Sequence, residues 1–169
     1  MFGSKRAIMK EIKIETKVFE YESADELELE DRKLLQEARK AAANAYAPYS
    51  EFKVGAALLL TNGEIVKGCN QENASYPNGL CGERVAMYAA GANFPGITIK
   101  AIAIATESRD KKSKEVATPC GECRQTLSEF ELRQKQPIKL ILAGDAEKVL
   151  IVEEGGSLLP LSFKFAKNA

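Results

Sequence analysis

The chain has 169 residues, enough for one domain with a real core and few for two. Lys plus Arg and Asp plus Glu each number 24, so the formal net charge is zero and no basic surplus marks a surface built to grip a polynucleotide. Histidine is absent, which excludes Ser-His-Asp and Cys-His nucleophilic machinery and the His-based zinc proteases; a tight zinc site must use thiolates or carboxylates.

Residues 1–10 carry bases but no apolar signal core, and no apolar run approaches the roughly 18 residues of a membrane span. The expectation is a cytoplasmic protein with no membrane partner and no nucleic-acid partner. Residues 1–25 read as an N-terminal extension, with an alternating, extended arm from Ile12 to Tyr21. Residues 26–169 read as a single domain. Ser23 followed by Glu26 matches a capping box. Leu27, Leu34, Leu35, Ala38, Ala41, Ala42 and Ala45 then recur at helical spacing, acids first and bases last, until Pro48 stops the helix.

Val54 to Leu60 is an apolar strand, Asn62-Gly63 a hairpin turn, and Ile65 to Cys69 the return strand. A second helix begins near Cys81 and runs to about Gly91, read as its C-cap. Ile97 to Ala105, alternating Ile with Ala, is a buried strand, followed by a charged loop from Thr106 to Lys114. A third helix starts after Thr118-Pro119, with Thr118 as N-cap and Pro119 as first helical residue. Ile138 to Ala143 and Val149 to Val152 bring the sheet to five strands, mixed in direction, within an α/β layered sandwich.

Two short motifs carry chemistry. Pro119-Cys120-Gly121-Glu122-Cys123 sets two thiols at i and i+3, on one side of a turn at a helix N-terminus, where thiolates are favoured. Alone it is ambiguous, reading as a redox pair, as half a zinc site or as a chance pairing. Cys81-Gly82-Glu83-Arg84 sets a cysteine at another helix start, with a carboxylate two residues on. Inside a regular helix that spacing points the side chains apart, but an extended Cys81 ahead of the first turn lets both face one point. By itself the tetrapeptide reads more readily as a buried Cys beside a solvated Glu-Arg pair.

Together the motifs match the zinc nucleobase deaminase pattern in its three-cysteine form, Cys81-x-Glu83 and Pro119-Cys120-x-x-Cys123. Three protein ligands leave a fourth position for water, which marks a catalytic zinc. Glu83 is then the carboxylate that takes and returns protons. Three thiolates leave the site negatively charged, and Arg84 with two helix N-termini offsets that charge. Cys69 has no partner in the pattern and reads as a small buried hydrophobe.

The chain resembles the short, homotetrameric cytidine deaminases over roughly residues 34–163. The matching segments are Ala45-Tyr46-Ala47-Pro48-Tyr49-Ser50, Phe52-Lys53-Val54-Gly55-Ala56-Ala57, Asn70-Gln71-Glu72-Asn73-Ala74-Ser75-Tyr76, Cys81-Gly82-Glu83-Arg84, Pro119-Cys120-Gly121-Glu122-Cys123-Arg124-Gln125 and Leu158-Leu159-Pro160. The resemblance implies a three-layer α/β/α sandwich, one Zn²⁺ per subunit, and hydrolysis of cytidine and deoxycytidine to uridine and deoxyuridine plus ammonia by zinc-bound hydroxide attack at C4. It also implies a place in pyrimidine salvage. Phe52 would pack on the pyrimidine, Asn70 and Glu72 would bind the ribose hydroxyls, the Gly82 amide would approach the base carbonyl, and the Thr118 carbonyl would accept from the leaving amino group. Ala74, Tyr76 and Phe163 match positions that neighbouring subunits contribute. Gly82 stands where the family more often has Ala. Two other readings remain: a deaminase of another aminopyrimidine nucleoside, blasticidin-S-like, and a non-catalytic zinc or thiol module.

Overall fold

The computed structural model describes residues 9–108 and 116–165. In chain order the elements are β1 (Phe19–Tyr21), α1 (Leu29–Ala42), β2 (Phe52–Leu60), β3 (Ile65–Cys69), α2 (Gly82–Asn93), β4 (Ile99–Ser108), α3 (Gly121–Gln134), β5 (Lys139–Ala143) and β6 (Val149–Val152). The strands form one sheet in the order β1-β6-β5-β4-β2-β3, with β4 and β5 parallel and the other pairs antiparallel. No helix among the described residues is long and apolar enough to cross a membrane.

The sheet therefore has six strands, not the five expected. The sixth is the end of the N-terminal arm: Phe19 pairs with Ile151 and Tyr21 with Val149. Without it β6 would expose a row of unpaired backbone groups at the sheet edge. Several local boundaries also move. Ser23 accepts a hydrogen bond from the Asp25 amide and heads a short 3-10 turn, while α1 begins only at Leu29. That helix stops at Ala42, well before Pro48. Gly91 lies inside α2, whose C-cap is Phe94. Thr106 to Ser108 continue β4, and the rest of the expected loop to Lys114 lies outside the described residues.

The Ile/Ala alternation of β4 sorts the layers. Ala101, Ala103 and Ala105 face Leu34, Leu35 and Ala38 of α1, while Ile102 and Ile104 pack with Met87 of α2 and Leu127 of α3. One helix thus lies on the small-residue face and two on the other, as α/β/α layering requires. Small residues let α1 come close, and Gly55 sets the limit: a Cβ there would lie 2.1 Å from the Ala38 carbonyl oxygen and 2.3 Å from the Ala42 nitrogen. Both are backbone atoms and cannot swing away. Gly55→Ala is therefore expected to destabilise the fold by ~3 kcal/mol as an overpacking change. Thermal denaturation should show Tm lower by roughly 5–10 °C, and an unchanged Tm would contradict the close packing. Gly68 does the same for α2, where a Cβ would sit 2.5 Å from the Ala86 nitrogen. This second close approach brings the N-terminus of α2 against the end of β3, where the site lies.

Candidate metal centre and active site

Both α2 and α3 begin at the same end of the sheet. Cys81 is the N-cap of α2, with φ −68 and ψ 149, and Cys120 is the N-cap of α3, with φ −68 and ψ 171. Both are extended residues just ahead of a first turn, which frees Cys81 to face the same space as Glu83. The N-cap of α3 is thus Cys120, where Thr118 was expected; the Thr118 hydroxyl instead accepts from Arg124 Nη2 at 3.1 Å. Cys123 follows in the first turn and is fully buried.

The three sulfurs converge. Cys81 Sγ lies 3.8 Å from Cys120 Sγ, Cys120 Sγ lies 3.5 Å from Cys123 Sγ, and all three fall within 4.8 Å of one another. Zinc–sulfur bonds of about 2.3 Å at tetrahedral angles set sulfurs about 3.8 Å apart, so the cluster fits Zn²⁺ held by three thiolates. Cys69 stays outside it; its sulfur accepts from Gln71 Nε2 at 3.4 Å.

Charge around the cluster favours ionisation. The Cys81 thiol is lowered to about 5, first by the hydrogen bond with Cys123 and then by the Arg84 guanidinium, whose Nη2 lies 4.0 Å from the sulfur. Cys123, on the other side of that hydrogen bond and buried, is pushed up and holds its proton longer. Two helix N-termini add their positive ends to the same point. Arg84 also pairs with Glu122 at 2.8 Å, and its Nε is buried with no hydrogen-bond partner among the described residues.

Glu83 is only 5% exposed. Burial, reinforced by the Cys81 thiolate, raises its carboxyl above the usual 4.5. Together with Cys81 and Cys120 it lines a cavity of about 540 Å³. Phe52, Asn70, Glu72 and Thr118 line the same cavity. Asn70 is buried, and its side chain brackets the start of β2: Oδ1 accepts from the Val54 amide at 2.8 Å and Nδ2 donates to the Phe52 carbonyl at 2.9 Å. Glu72 accepts from the Tyr49 and Ser50 amides at 2.9 and 3.3 Å and from the Ser50 hydroxyl. The Ser50 bond, then the two amides, hold its carboxyl below the usual range, so it is an ionised acceptor.

Most of the residues singled out in the sequence thus surround one cavity. Gly82, Arg84 and Cys123 are not among the lining residues, and a Cβ on Gly82 would lie 2.9 Å from the Val54 carbonyl oxygen. Tyr76 lines this chain's own cavity, its ring 5.9 Å from that of Tyr49. Ala74 and Phe163 are exposed and are not among the lining residues. Sequence reasoning gave no role to Tyr49, Ser50 or Thr106, all of which line the cavity. Pro48 ahead of Tyr49-Ser50 marks a turn, but nothing local shows that the turn folds back onto Glu72.

Known proteins with this constellation are consistent in kind. Residues 29–136 match the family model described as the cytidine and deoxycytidylate deaminase zinc-binding region. A cytidine deaminase of Sporosarcina psychrophila is 40% identical over 133 residues, spanning 78% of this chain and 89% of its own length. One from Halalkalibacterium halodurans is 37% identical over 130 residues, spanning 77% of this chain and 91% of its own. Among solved structures, cytidine deaminase from Burkholderia pseudomallei superposes with a TM-score of 0.68 at 39% identity, covering 78% of this chain and 97% of that one.

Proposed function

The chain belongs to the cytidine and deoxycytidylate deaminase family, and from that premise we infer that it hydrolyses cytidine and deoxycytidine to uridine and deoxyuridine, releasing ammonia. The observation that carries this reading is the convergence of three thiols, two of which, Cys81 and Cys120, line the same cavity as the buried Glu83 carboxylate. Cys81, Cys120 and Cys123 would hold a zinc ion, which when bound would acidify a water toward a pKa of about 7.

The protein's own residues do the rest. Glu83 accepts one proton of the attacking water and delivers it to ring N3; it then takes the remaining proton from the hydroxyl now on C4 and passes it to the amino group, which leaves as ammonia as the C4 carbonyl forms. The Gly82 amide donates to the base carbonyl, and the Thr118 carbonyl accepts from the amino group. Phe52 packs on the pyrimidine. After its two backbone bonds, the Asn70 amide keeps one N–H and one lone pair, and Glu72 keeps one lone-pair site of four, enough for ribose hydroxyls. Ala74, Tyr76 and Phe163 are the residues a neighbouring copy would share in a homotetramer. Residues 26–169 form the deaminase domain and residues 1–25 its extension. The reaction serves pyrimidine salvage in the cytoplasm.

Arg84 tempers the negative charge of the thiolate set. Arg84→Gln should lower kcat about 10- to 100-fold, as loss of a residue supporting metal ligands commonly does, with zinc content retained. Unchanged turnover would remove Arg84 from this role. The substrate assignment is tested by incubating the zinc-loaded protein with cytidine, deoxycytidine, cytosine and blasticidin S. Uridine and deoxyuridine, each with equimolar ammonia, are expected, and cytosine should react poorly without a ribose. Preferential turnover of blasticidin S would replace the cytidine reading. A zinc-loaded sample inert toward all four would point to a non-catalytic module.

A further inference from the structure

Arg124 follows the second and third cysteines of the cluster and has no role in the chemistry above. The residue is half-buried, and each of its three guanidinium nitrogens donates one hydrogen bond. Nε donates to the Pro119 carbonyl at 2.8 Å, Nη2 to the Thr118 hydroxyl at 3.1 Å, and Nη1 to the Leu158 carbonyl at 3.0 Å. Two of these acceptors belong to the extended stretch Ala117–Cys120, three of whose residues (Ala117, Thr118 and Cys120) line the cavity. That stretch has no regular secondary structure and enters α3 directly at a metal-ligand position. The third acceptor lies in the C-terminal segment, which Gln125 grips again through the Phe163 backbone, donating to its carbonyl at 2.9 Å and accepting from its amide at 3.2 Å.

We propose that Arg124 is a positioning residue that fixes the Ala117–Cys120 wall of the cavity by tying the Thr118–Pro119 segment and Leu158 to the first turn of α3. The planar fork suits this task, because three donors on one rigid group set three acceptors in one geometry. A lysine offers one donor centre and cannot span them. The kinetic part of the proposal rests on the reading that this cavity takes a nucleoside; the structural part does not.

The test uses the zinc-loaded full chain with Arg124→Gln, Arg124→Lys and Arg124→Ala, and Arg133→Gln as the control. Arg133 lies on the same helix with its guanidinium 4.0 Å over the Phe130 ring, away from the cavity. Amide hydrogen exchange is followed in peptides covering residues 116–120 and 158–163. In Arg124→Gln both should exchange at least ~10-fold faster than in the parent while β5 stays protected. The value of kcat/KM for cytidine should fall about 10- to 100-fold at unchanged zinc content. Added guanidinium should restore part of the Arg124→Ala loss and none of any change in Arg133→Gln. If Arg124→Ala does not fold, Arg124→Lys carries the exchange and kinetic comparison. Exchange in both peptides within about twofold of the parent would overturn the proposal, as would an equal change in the control. If the parent itself does not deaminate cytidine, the proposed function fails, and the exchange data still decide the role of Arg124.

Discussion

Glu83→Gln should lower cytidine turnover by about 10²- to 10⁴-fold, the usual contribution of a positioned general acid–base, while one zinc per chain stays bound. The substitution keeps the size of the side chain and removes only its capacity to accept a proton. Glu83 is buried beside the thiol cluster, and among the described residues the one other carboxylate lining the cavity is Glu72, which is committed to Tyr49 and Ser50. Burial also has a thermodynamic signature. The folded-state pKa of Glu83 lies above its usual 4.5, so ionisation costs stability. That cost is absent below pH 4.5 and grows until pH passes the raised value. Zinc-free Glu83→Gln should therefore be more stable than the zinc-free parent at pH 8, with the gap closing as pH falls. A gap that widens on acidification would mean the carboxyl is not held in the charged-disfavouring environment seen here.

Cys123→Ala should abolish both zinc binding and turnover. The sulfur is buried in the first turn of α3 and hydrogen-bonds within the cluster, so its loss leaves two thiols and a void. Without the metal the pKa of water returns toward about 15.7, and activity should fall by more than ~10⁴-fold. Stability should respond too. Zinc at about 1,000 times its Kd adds roughly 4 kcal/mol, or a Tm rise of about 10 °C, for a chain of this size. The parent should lose that increment on chelation and regain it with zinc, whereas Cys123→Ala should show no zinc-dependent Tm. Cys69→Ala is the contrast: its sulfur lies outside the cluster, and both zinc content and turnover should persist. Loss of zinc in Cys69→Ala would make the centre a closed four-cysteine site.

What the sequence disclosed follows from how locally each feature is encoded. The thiols were legible because each motif sits at a helix start, where one turn of chain fixes the geometry. The Ile/Ala alternation of β4 disclosed a strand buried on both faces, and the structure adds why the faces differ: one must admit α1 closely. The sixth strand was hidden because three residues carry little pattern, and its partner, Ile151 opposite Phe19, is remote in sequence. Thr118 was misplaced as an N-cap because its hydroxyl had two available uses, the amides of α3 and the guanidinium of Arg124, and the second prevails. The same holds for Arg124 itself, whose bond to Leu158 exists only once the C-terminal segment folds over α3.

The most direct test is ammonia release from cytidine by the zinc-loaded parent and by zinc-loaded Glu83→Gln, measured side by side with zinc content determined on both. The parent should release one ammonia per uridine formed, and the variant, with equal zinc, should release it at least ~100-fold more slowly. Equal release by the two proteins would contradict the account of Glu83, and no release by a folded, zinc-loaded parent would contradict the assignment of cytidine as substrate.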